Sequence, residues 1–478
     1  MNRELRRVST IVLLMFITLF VSTSIISVFQ VDNLRVDDRN TRTIYESYSA
    51  ERGPILVGGV AIAESVPSSD QYKFQRVYAA PTLYSAVTGY YTLNQGNAGL
   101  EGAMNDALTG KANDQFFGQL EAIITGKDPK GAAVALTVDP VIQQVAFDAL
   151  GANTGAVVAI EPSTGRILAM VSKASYDPNA LAVHNSQAVI DTYNALIADP
   201  AEPLFNRAIG GDLYAPGSVF KLVVASAALD SGRFTAASEF PNPPSLQLPQ
   251  SSNTISNAAD GNCGGSASVS IADALRLSCN IPFAQLGGAL GANTIADYSE
   301  AFGFGQDLNI PQTVTPSDFP RDIDEPGLYL SSFGQASVRV TPLQIAMVSA
   351  AIANGGKLMK PDLVESVTAP DLSVISEFDP TVFSTPISES TASIMTGLMV
   401  SNVASGAASN ARIQGVDVAG KTGTAQNDGA ANTLWFTGFA PASNPRVAVA
   451  VVIENGQGFG NSVAAPIARQ VMEAVLSK

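Results

Sequence analysis

Hydrophobic residues are most concentrated near the N-terminus, where an uncharged run at residues 8–29, VSTIVLLMFITLFVSTSIISVF, follows three arginines. At about 1.5 Å per residue, a helix over this run would be about 33 Å long, enough to cross a hydrocarbon core of roughly 30 Å. A cleaved secretory signal is the alternative, but the run is longer than a usual signal and no small-x-small cleavage site follows it. The pattern predicts an uncleaved transmembrane anchor. The arginines favour a cytoplasmic N-terminus, with the rest of the chain outside the cytoplasm.

Beyond this run, apolar residues follow the two-residue period of strands in some segments and helical spacing in others. The strand patterns lie at residues 55–62, 155–172, 433–441 and 446–455, and the helical patterns at 268–290, 341–356 and 465–478. The segment at 155–172, GAVVAIEPSTGRILAMVS, is two apolar runs joined by Pro-Ser-Thr-Gly, which is typical of a β-hairpin.

Strands at both ends of the C-terminal part, with helices between them, predict an α/β fold of the α+β type. One sheet is then assembled from distant parts of the chain, with a helical subdomain inserted. A linker of small residues at 148–155 follows a helix that Asp139-Pro140 starts, and it marks the predicted domain boundary. We therefore expect a tail and transmembrane anchor at 1–30, an irregular mixed N-terminal domain at 31–150, and a larger domain at 151–478.

Composition excludes several function classes. The 478 residues carry 42 acidic and 27 basic side chains, a net charge of −15, which argues against nucleic acid as a partner. The one histidine, His184, excludes metal sites that need two histidines, and we expect no metal. A Ser-His-Asp triad would have to use His184, but no G-x-S-x-G turn accompanies it, and nucleotide-binding motifs are missing too.

Two cysteines, Cys263 and Cys279, lie close together in the sequence. Outside the cytoplasm such a pair is more often bridged than free, so we expect a disulfide. Two buried free thiols are the alternative.

Candidate chemistry begins at YAPGSVFKLVVASAALDSG, residues 214–232, where a lysine heads a helix that is apolar nearly all round. Ser218 and Lys221 are three residues apart, so their side chains can meet on one helix face. The helix N-terminus and the apolar surroundings both disfavour a second positive charge, which lowers the pKa of the lysine. We therefore expect Lys221 to be a neutral base that activates Ser218. A lysine that only extends its amine out of a core helix is the alternative.

Two further clusters accompany this pair. The first is Ser278-Cys279-Asn280, inside a helical stretch. The second is VAGKTGTAQ at 418–426, where a strand carries Lys421 and two hydroxyls on one side, suited to an extended peptide with a carboxylate. A hairpin turn with a solvated lysine is the alternative for the second cluster.

The order S-x-x-K, S-x-N, K-T-G resembles that of class B penicillin-binding proteins, most closely the penicillin-binding protein A branch. The resemblance extends to the anchor, ERGPI at 51–55, GLE at 99–101, the hairpin, APGSVFK, and FGQASVRVTPLQIA at 333–346. It implies the penicillin-binding serine-transferase fold, with an antiparallel sheet flanked by helices. It also implies a D,D-transpeptidase that cross-links peptidoglycan stem peptides, is acylated by β-lactams and needs no cofactor.

The site residues that the resemblance implies are Ser218, Lys221, Ser278 and Asn280 for catalysis and Lys421, Thr422, Gly423 and Thr424 for substrate binding. Ser218 would attack the carbonyl between the terminal D-alanines, and Ser278 would pass a proton to the leaving amine. The N–H groups of Ser218 and Thr424 would form the oxyanion hole. The resemblance also implies a polytopic glycan polymerase as partner.

Two other functions are the alternatives: a hydrolase that uses the same serine and lysine, and a non-catalytic protein that uses neither. A β-lactamase or D,D-carboxypeptidase differs only in how fast water resolves the acyl-enzyme. A non-catalytic sensor or scaffold would have little use for a lysine buried beside a serine.

Overall fold

The computed structural model describes residues 2–26, 48, 50–112, 130–211, 213–258, 261–427 and 430–478. The end of the predicted anchor, residues 27–29, and parts of the predicted N-terminal domain lie outside the described residues. The α-helices in the described ranges are α1 (Asn2–Ser24), α2 (Pro81–Thr88), α3 (Gly99–Ala103), α4 (Asn105–Leu108), α5 (Pro140–Leu150), α6 (Ser186–Ala198), α7 (Lys221–Asp230), α8 (Ile271–Leu277), α9 (Ile281–Leu290), α10 (Ala292–Ala301), α11 (Glu325–Ser331), α12 (Pro342–Ala353), α13 (Glu389–Ser405) and α14 (Ala464–Leu476). The strands are β1 (Ile55–Val57), β2 (Val60–Pro67), β3 (Phe74–Tyr78), β4 (Ala133–Leu136), β5 (Gly155–Ile160), β6 (Ile167–Lys173), β7 (Glu239–Pro241), β8 (Ser245–Gln247), β9 (Thr254–Ser256), β10 (Ser268–Ser270), β11 (Leu358–Met359), β12 (Val364–Thr368), β13 (Val374–Glu377), β14 (Val382–Ser384), β15 (Ala419–Asn427), β16 (Ala430–Ala440) and β17 (Val447–Gly456).

Helix α1 matches the apolar run near the N-terminus. Its segment Leu5–Ser24 has a mean hydropathy of 1.8 over an 18-residue window, and none of that window is buried against the rest of the protein. The helix is therefore long and apolar enough to span a membrane once.

A five-stranded antiparallel sheet forms the centre of the C-terminal part, in the order β15-β16-β17-β5-β6. Successive residues of β17 enter two different cores: Val449 and Val451 pack with α5 and α14, whereas Ala448 and Ala450 pack with α12. Burial on both faces explains why residues 447–453 of this strand are apolar without interruption. The predicted fold, an antiparallel sheet flanked by helices with a helical insertion, is confirmed.

A second sheet, of six strands, combines strands from the N-terminal part with two strands from the C-terminal part. Its order is β13-β12-β4-β1-β2-β3, so β12 and β13, from residues 364–377, extend a sheet that the N-terminal part begins. Arg166 in the β5–β6 turn fastens the same region with a bidentate pair to Glu365 on β12, at 2.8 and 3.0 Å. Helix α5 lies before residue 150 but covers one face of the five-stranded sheet. The predicted boundary at 150 therefore falls within continuous packing.

The alternating segment at 55–62 proves to be a hairpin and not a single strand. Strand β1 ends at Val57 and β2 begins at Val60, and the two pair in antiparallel fashion. Gly58 and Gly59 both have positive φ, +57° and +79°, which a two-residue hairpin turn requires and only glycine adopts readily.

A buried ion-pair cluster holds the N-terminal part together. Glu101 has no exposed surface and accepts hydrogen bonds from Arg52 at 2.5 Å and Arg76 at 2.6 Å. Burial alone would raise the pKa of Glu101, but the charges of Arg76 and Arg52 hold it below the ordinary value. The cluster links the ERGPI and GLE segments that the sequence singles out.

Candidate active site

Ser218 lies in a 3₁₀ turn, Gly217–Phe220, that runs directly into helix α7. The turn is braced by backbone contact: Gly217 N–H donates to Gly334 O at 2.8 Å. A Cβ on Gly334 would lie 1.8 Å from Gly217 O, so only glycine allows this approach. The segment GQASVRV, residues 334–340, thereby fixes the position of the serine turn through its backbone.

Lys221 is the first residue of α7, and its side chain has no exposed surface. Its Nζ donates to Ser278 O at 2.8 Å and to Asn280 Oδ1 at 2.9 Å. Both hydrogen bonds that the structure gives this amine go to the S-x-N segment, and neither goes to Ser218 Oγ. Burial, and the positive charge of Lys421, hold the pKa of the Lys221 amine well below its ordinary value.

The sequence pattern predicts that the S-x-N segment lies inside a helix. The structure instead places it in a break between two helices. Helix α8 ends at Leu277, and Ser278 adopts a left-handed conformation with φ of 64°. The buried side chain of Asn402 on α13 donates to the last carbonyls of α8, those of Leu275 and Arg276, at 3.0 and 2.7 Å. These bonds cap the end of the helix. Directly after it, Ser278 Oγ accepts a hydrogen bond from Lys421 Nζ at 2.7 Å.

The K-T-G segment lies on β15, at the edge of the five-stranded sheet. Lys421 is fully buried, and burial lowers the pKa of its amine to about 7. The prediction that the lysine and both hydroxyls share one side of the strand is wrong, because the pairing from Lys421 to Thr424 is regular and side chains alternate. Lys421 reaches Ser278, whereas Thr422 Oγ1 donates to Ala407 O at 3.2 Å.

Gly423 and Thr424 bring the strand against the nucleophile turn. A Cβ on Gly423 would lie 2.8 Å from Pro216 O and 3.1 Å from the Trp435 Cβ, so a larger residue would push the strand away. Thr424 Oγ1 accepts from Gly460 N at 3.2 Å. The structure therefore brings all three predicted motifs to one place.

These motifs line an open cleft of about 1380 Å³. Sequence reasoning did not select Tyr214, Arg339, Glu454 and Phe459, which also line the cleft. Glu454 ends the apolar run of β17 and pairs with Arg207 at 2.9 Å. A carboxylate directly after seven buried apolar residues of one strand was the signal available in the sequence.

Cys263 and Cys279 are joined in a disulfide with Cα atoms 5.8 Å apart. Since Cys279 is the middle residue of S-x-N, the bridge ties that segment to the loop before β10. His184 has no place in the cleft: its Nδ1 pairs with Asp70, among the rings of Tyr48 and Tyr72.

Comparisons with known proteins place the chain in a family. Residues 155–473 match the penicillin binding protein transpeptidase domain, and residues 52–134 match the penicillin binding protein A dimerisation domain. The chain is 40% identical to the peptidoglycan D,D-transpeptidases PbpA of Mycolicibacterium smegmatis and Mycobacterium tuberculosis, over 100% of its own length and 99% of theirs. The ceftriaxone acyl-enzyme complex of penicillin-binding protein A from M. tuberculosis matches the structure with a TM-score of 0.87 and 39% identity, over 90% of this chain and 100% of that one. This protein therefore belongs to the family of penicillin-binding proteins with a transpeptidase domain.

Proposed function

We propose that this protein is a peptidoglycan D,D-transpeptidase that cross-links stem peptides through an acyl-enzyme on Ser218. One observation carries the proposal: a buried lysine with a lowered pKa, Lys221, heads the helix that follows the serine turn. Its amine contacts Ser278 of the S-x-N segment, Ser278 contacts Lys421 of the K-T-G segment, and the three motifs meet at one open cleft. An anchored protein with this cleft suits a substrate that is assembled at the membrane surface.

In the acylation step, Ser218 Oγ attacks the carbonyl between the two terminal D-alanines while the neutral Lys221 amine accepts its proton. The N–H groups of Ser218 and Thr424 stabilise the oxyanion. Ser278 then delivers a proton to the leaving nitrogen, the C–N bond breaks, and D-alanine departs. Lys221 returns its proton to Ser278, so the protons balance.

In the second step, an amine from a neighbouring stem peptide attacks the ester carbonyl on Ser218. The C–O bond breaks, a new amide forms, and Ser218 recovers a proton that the amine has lost. Asn280 holds Lys221 through both steps by the 2.9 Å hydrogen bond to its amine.

The edge of β15 receives the extended end of the substrate by backbone pairing. The hydroxyls of Thr422 and Thr424, on either side of Gly423, bind the terminal carboxylate, and the buried Lys421 ammonium attracts it by its charge from the other side of the strand. β-Lactams acylate Ser218 in the same way, as supported by the solved β-lactam acyl-enzyme complexes of the mycobacterial relative.

Helix α1 anchors the protein with its N-terminus in the cytoplasm and the cleft outside, because arginines precede the apolar run. A polytopic glycan polymerase is the partner that supplies nascent strands, and the N-terminal part offers the surface for docking. No nucleic acid takes part.

The proposal is tested with protein lacking residues 1–30 and with its Ser218→Ala variant. The unsubstituted protein is expected to form a lasting covalent adduct with a fluorescent penicillin, and the variant to form none. Intact mass spectrometry measures the adduct, and D-alanine release from a stem-peptide mimic is assayed with and without an acceptor amine.

Undiminished labelling of Ser218→Ala would overturn the assignment of the nucleophile. Rapid loss of the adduct, with release independent of the acceptor, would assign the protein to hydrolases instead.

A further inference from the structure

Helix α9 begins at the S-x-N segment, with Asn280 as its N-cap residue. Backbone N–H groups in the first turn of a helix have no partner within the helix, and an asparagine at the N-cap usually accepts one of them with its side chain. Asn185 does this for α6, where its Oδ1 accepts from Ala188 N at 3.0 Å. Asn280 makes no such bond to its own helix.

The Asn280 side chain is engaged elsewhere. Its Oδ1 accepts from Lys221 Nζ at 2.9 Å, and its Nδ2 donates to Ser256 O at 3.1 Å. An oxygen that capped α9 would have to turn away from the lysine. Capping the helix and orienting the lysine therefore compete for one side chain.

Asn257, 23 residues earlier, binds the start of α9 from outside the helix. Its Oδ1 accepts from Asn280 N at 2.9 Å and from Ile281 N at 3.2 Å. The residue is 6% exposed and directly follows β9, whose last residue, Ser256, binds the Asn280 amide. The same short segment thus satisfies the helix start and fixes the Asn280 side chain.

The orientation of the Asn257 amide is itself determined by a buried neighbour. Asn242 has no exposed surface, and its Nδ2 donates to the carbonyls of Cys263 and Ser266 at 2.7 and 2.9 Å. Its Oδ1 must then face donors, and it accepts from Asn257 Nδ2 at 3.2 Å. This arrangement leaves the Asn257 oxygen directed at α9.

We propose that Asn257 is a positioning residue that binds the first two N–H groups at the start of helix α9, those of Asn280 and Ile281, and so holds Asn280 where its side chain orients Lys221. The inference rests on the proposed function, because orienting Lys221 matters only if that amine activates Ser218. The side-chain hydrogen bonds that the structure gives Asn257 go to Asn242, Asn280 and Ile281, and none goes to Ser218, Lys221 or Ser278.

The test compares Asn257→Leu, which keeps the volume and removes the acceptor, with Asn257→Asp, which keeps an acceptor and suits a helix N-terminus. Stopped-flow labelling with a fluorescent penicillin gives the saturating acylation rate constant and the half-saturating concentration. Asn257→Leu is expected to lower the rate constant about 100-fold, as a small misplacement of a catalytic group does. The half-saturating concentration should stay within a few-fold. Asn257→Asp keeps the oxygen that faces α9 but loses the hydrogen bond to Asn242, so it should be slowed less than Asn257→Leu.

A double-substitution cycle separates positioning from general stability. Asn257→Leu combined with Asn280→Ala is expected to be no slower than Asn280→Ala alone. Gln143→Leu is the matched control, because Gln143 is also a fully buried amide with three hydrogen bonds, to Leu83 and Met170, away from the cleft. It should lower the melting temperature and leave the rate constant unchanged.

Multiplying effects in the double variant would overturn the inference, as would equal rates for the Leu and Asp variants or an unchanged rate for Asn257→Leu. If Asn257→Leu does not fold, Asn257→Ser replaces it, since serine is too short to reach both N–H groups, and an unchanged rate there is equally contrary. An unsubstituted protein that is not acylated at Ser218 would remove the proposed function and this inference together. Normal acylation that no Asn257 variant affects removes the inference alone.

Discussion

Lys221 and Lys421 are two fully buried amines that meet the same serine: Lys221 Nζ donates to Ser278 O and Lys421 Nζ to Ser278 Oγ. Burial disfavours the charged form of each, and the charge of Lys421 also lowers the pKa of Lys221. The arrangement lets one amine act as a base while the other acts as a cation. The two roles should separate in a pH titration.

Substrate binding is expected to weaken as the pH rises through about 7, because the pKa of Lys421 lies there and its ammonium loses the proton that attracts the carboxylate. The half-saturating concentration of a penicillin, measured by stopped flow, should therefore increase on the alkaline side. The saturating rate constant should instead fall on the acid side, where Lys221 becomes protonated.

A penicillin methyl ester is the control ligand, because it has no carboxylate and its half-saturating concentration should not respond to Lys421. If the acid and its ester weaken in parallel above neutral pH, Lys421 does not hold the carboxylate.

At this scale the sequence predicts the buried lysine well. The apolar run after Lys221 indicates burial, and the three-residue spacing indicates its proximity to Ser218. That Asn280 orients Lys221 is implied by the family resemblance. Spacing and periodicity could not predict it, because it depends on how segments 59 residues apart meet. The burial of Lys421 was missed for a similar reason, since its partner Ser278 is 143 residues away.

At the scale of elements, the site is built where regular structure stops. Helix α8 ends at the left-handed Ser278, and the disulfide and the Asn402 cap fix that ending. Periodicity predicted the hairpin, the long strands and the C-terminal helix because each buries a continuous apolar face. It could not find the break between α8 and α9, since apolar spacing continues across it.

Replacing both cysteines, Cys263→Ser with Cys279→Ser, is expected to destabilise the transpeptidase part by about 3 kcal/mol. The bridge closes a loop with a sequence separation of 16, and a loop of this size restricts the unfolded chain by that amount. Thermal unfolding followed by circular dichroism checks the change. A melting temperature equal to that of the unsubstituted protein would mean that the loop is already ordered without the bridge.

Glu101→Gln is expected to destabilise the N-terminal part by roughly 3–5 kcal/mol, because it leaves Arg52 and Arg76 buried without a counter-charge. The pKa of Glu101 is lowered in the folded protein, so its contribution is present above the unfolded pKa and is lost as pH falls through the folded value. The variant should therefore lose less stability on acidification, as measured by urea unfolding at several pH values.

Glu473→Gln is the matched control for this experiment. Its pair with Arg469 is half exposed at 3.8 Å, and exposed pairs contribute roughly 0–1 kcal/mol. Equal losses in the two variants would contradict the special role of the buried cluster.

At the scale of the whole molecule, the N-terminal and C-terminal parts share packing that the division at residue 150 does not suggest. Strand β12 pairs with β4, and α5 covers the five-stranded sheet. The anchor and the fold of the C-terminal part could be predicted from the sequence. The shared sheet could not, because β12 and β13 are too short and too polar to reveal a partner more than 200 residues away.

Fragments should reveal this dependence. Fragments of residues 151–478 and 139–478 both lose β1 to β4, and only the longer one keeps α5. We expect melting temperature and penicillin labelling to decrease in the order 31–478, 139–478, 151–478. Full labelling and an unchanged melting temperature for 151–478 would show that the C-terminal part is independent.

The open side of β15 has a meaning beyond the reaction. Unpaired backbone groups along an edge strand can pair with any extended chain. An edge that binds the substrate can therefore also pair with a second copy of the protein. A register shift lies between Ala425 and Asn427, in the part of β15 that lines the cleft, and such an irregularity locally disrupts strand pairing. Solubility and turnover thus depend on the same backbone groups of β15, so a substitution that changes one of these properties at this edge is expected to change the other.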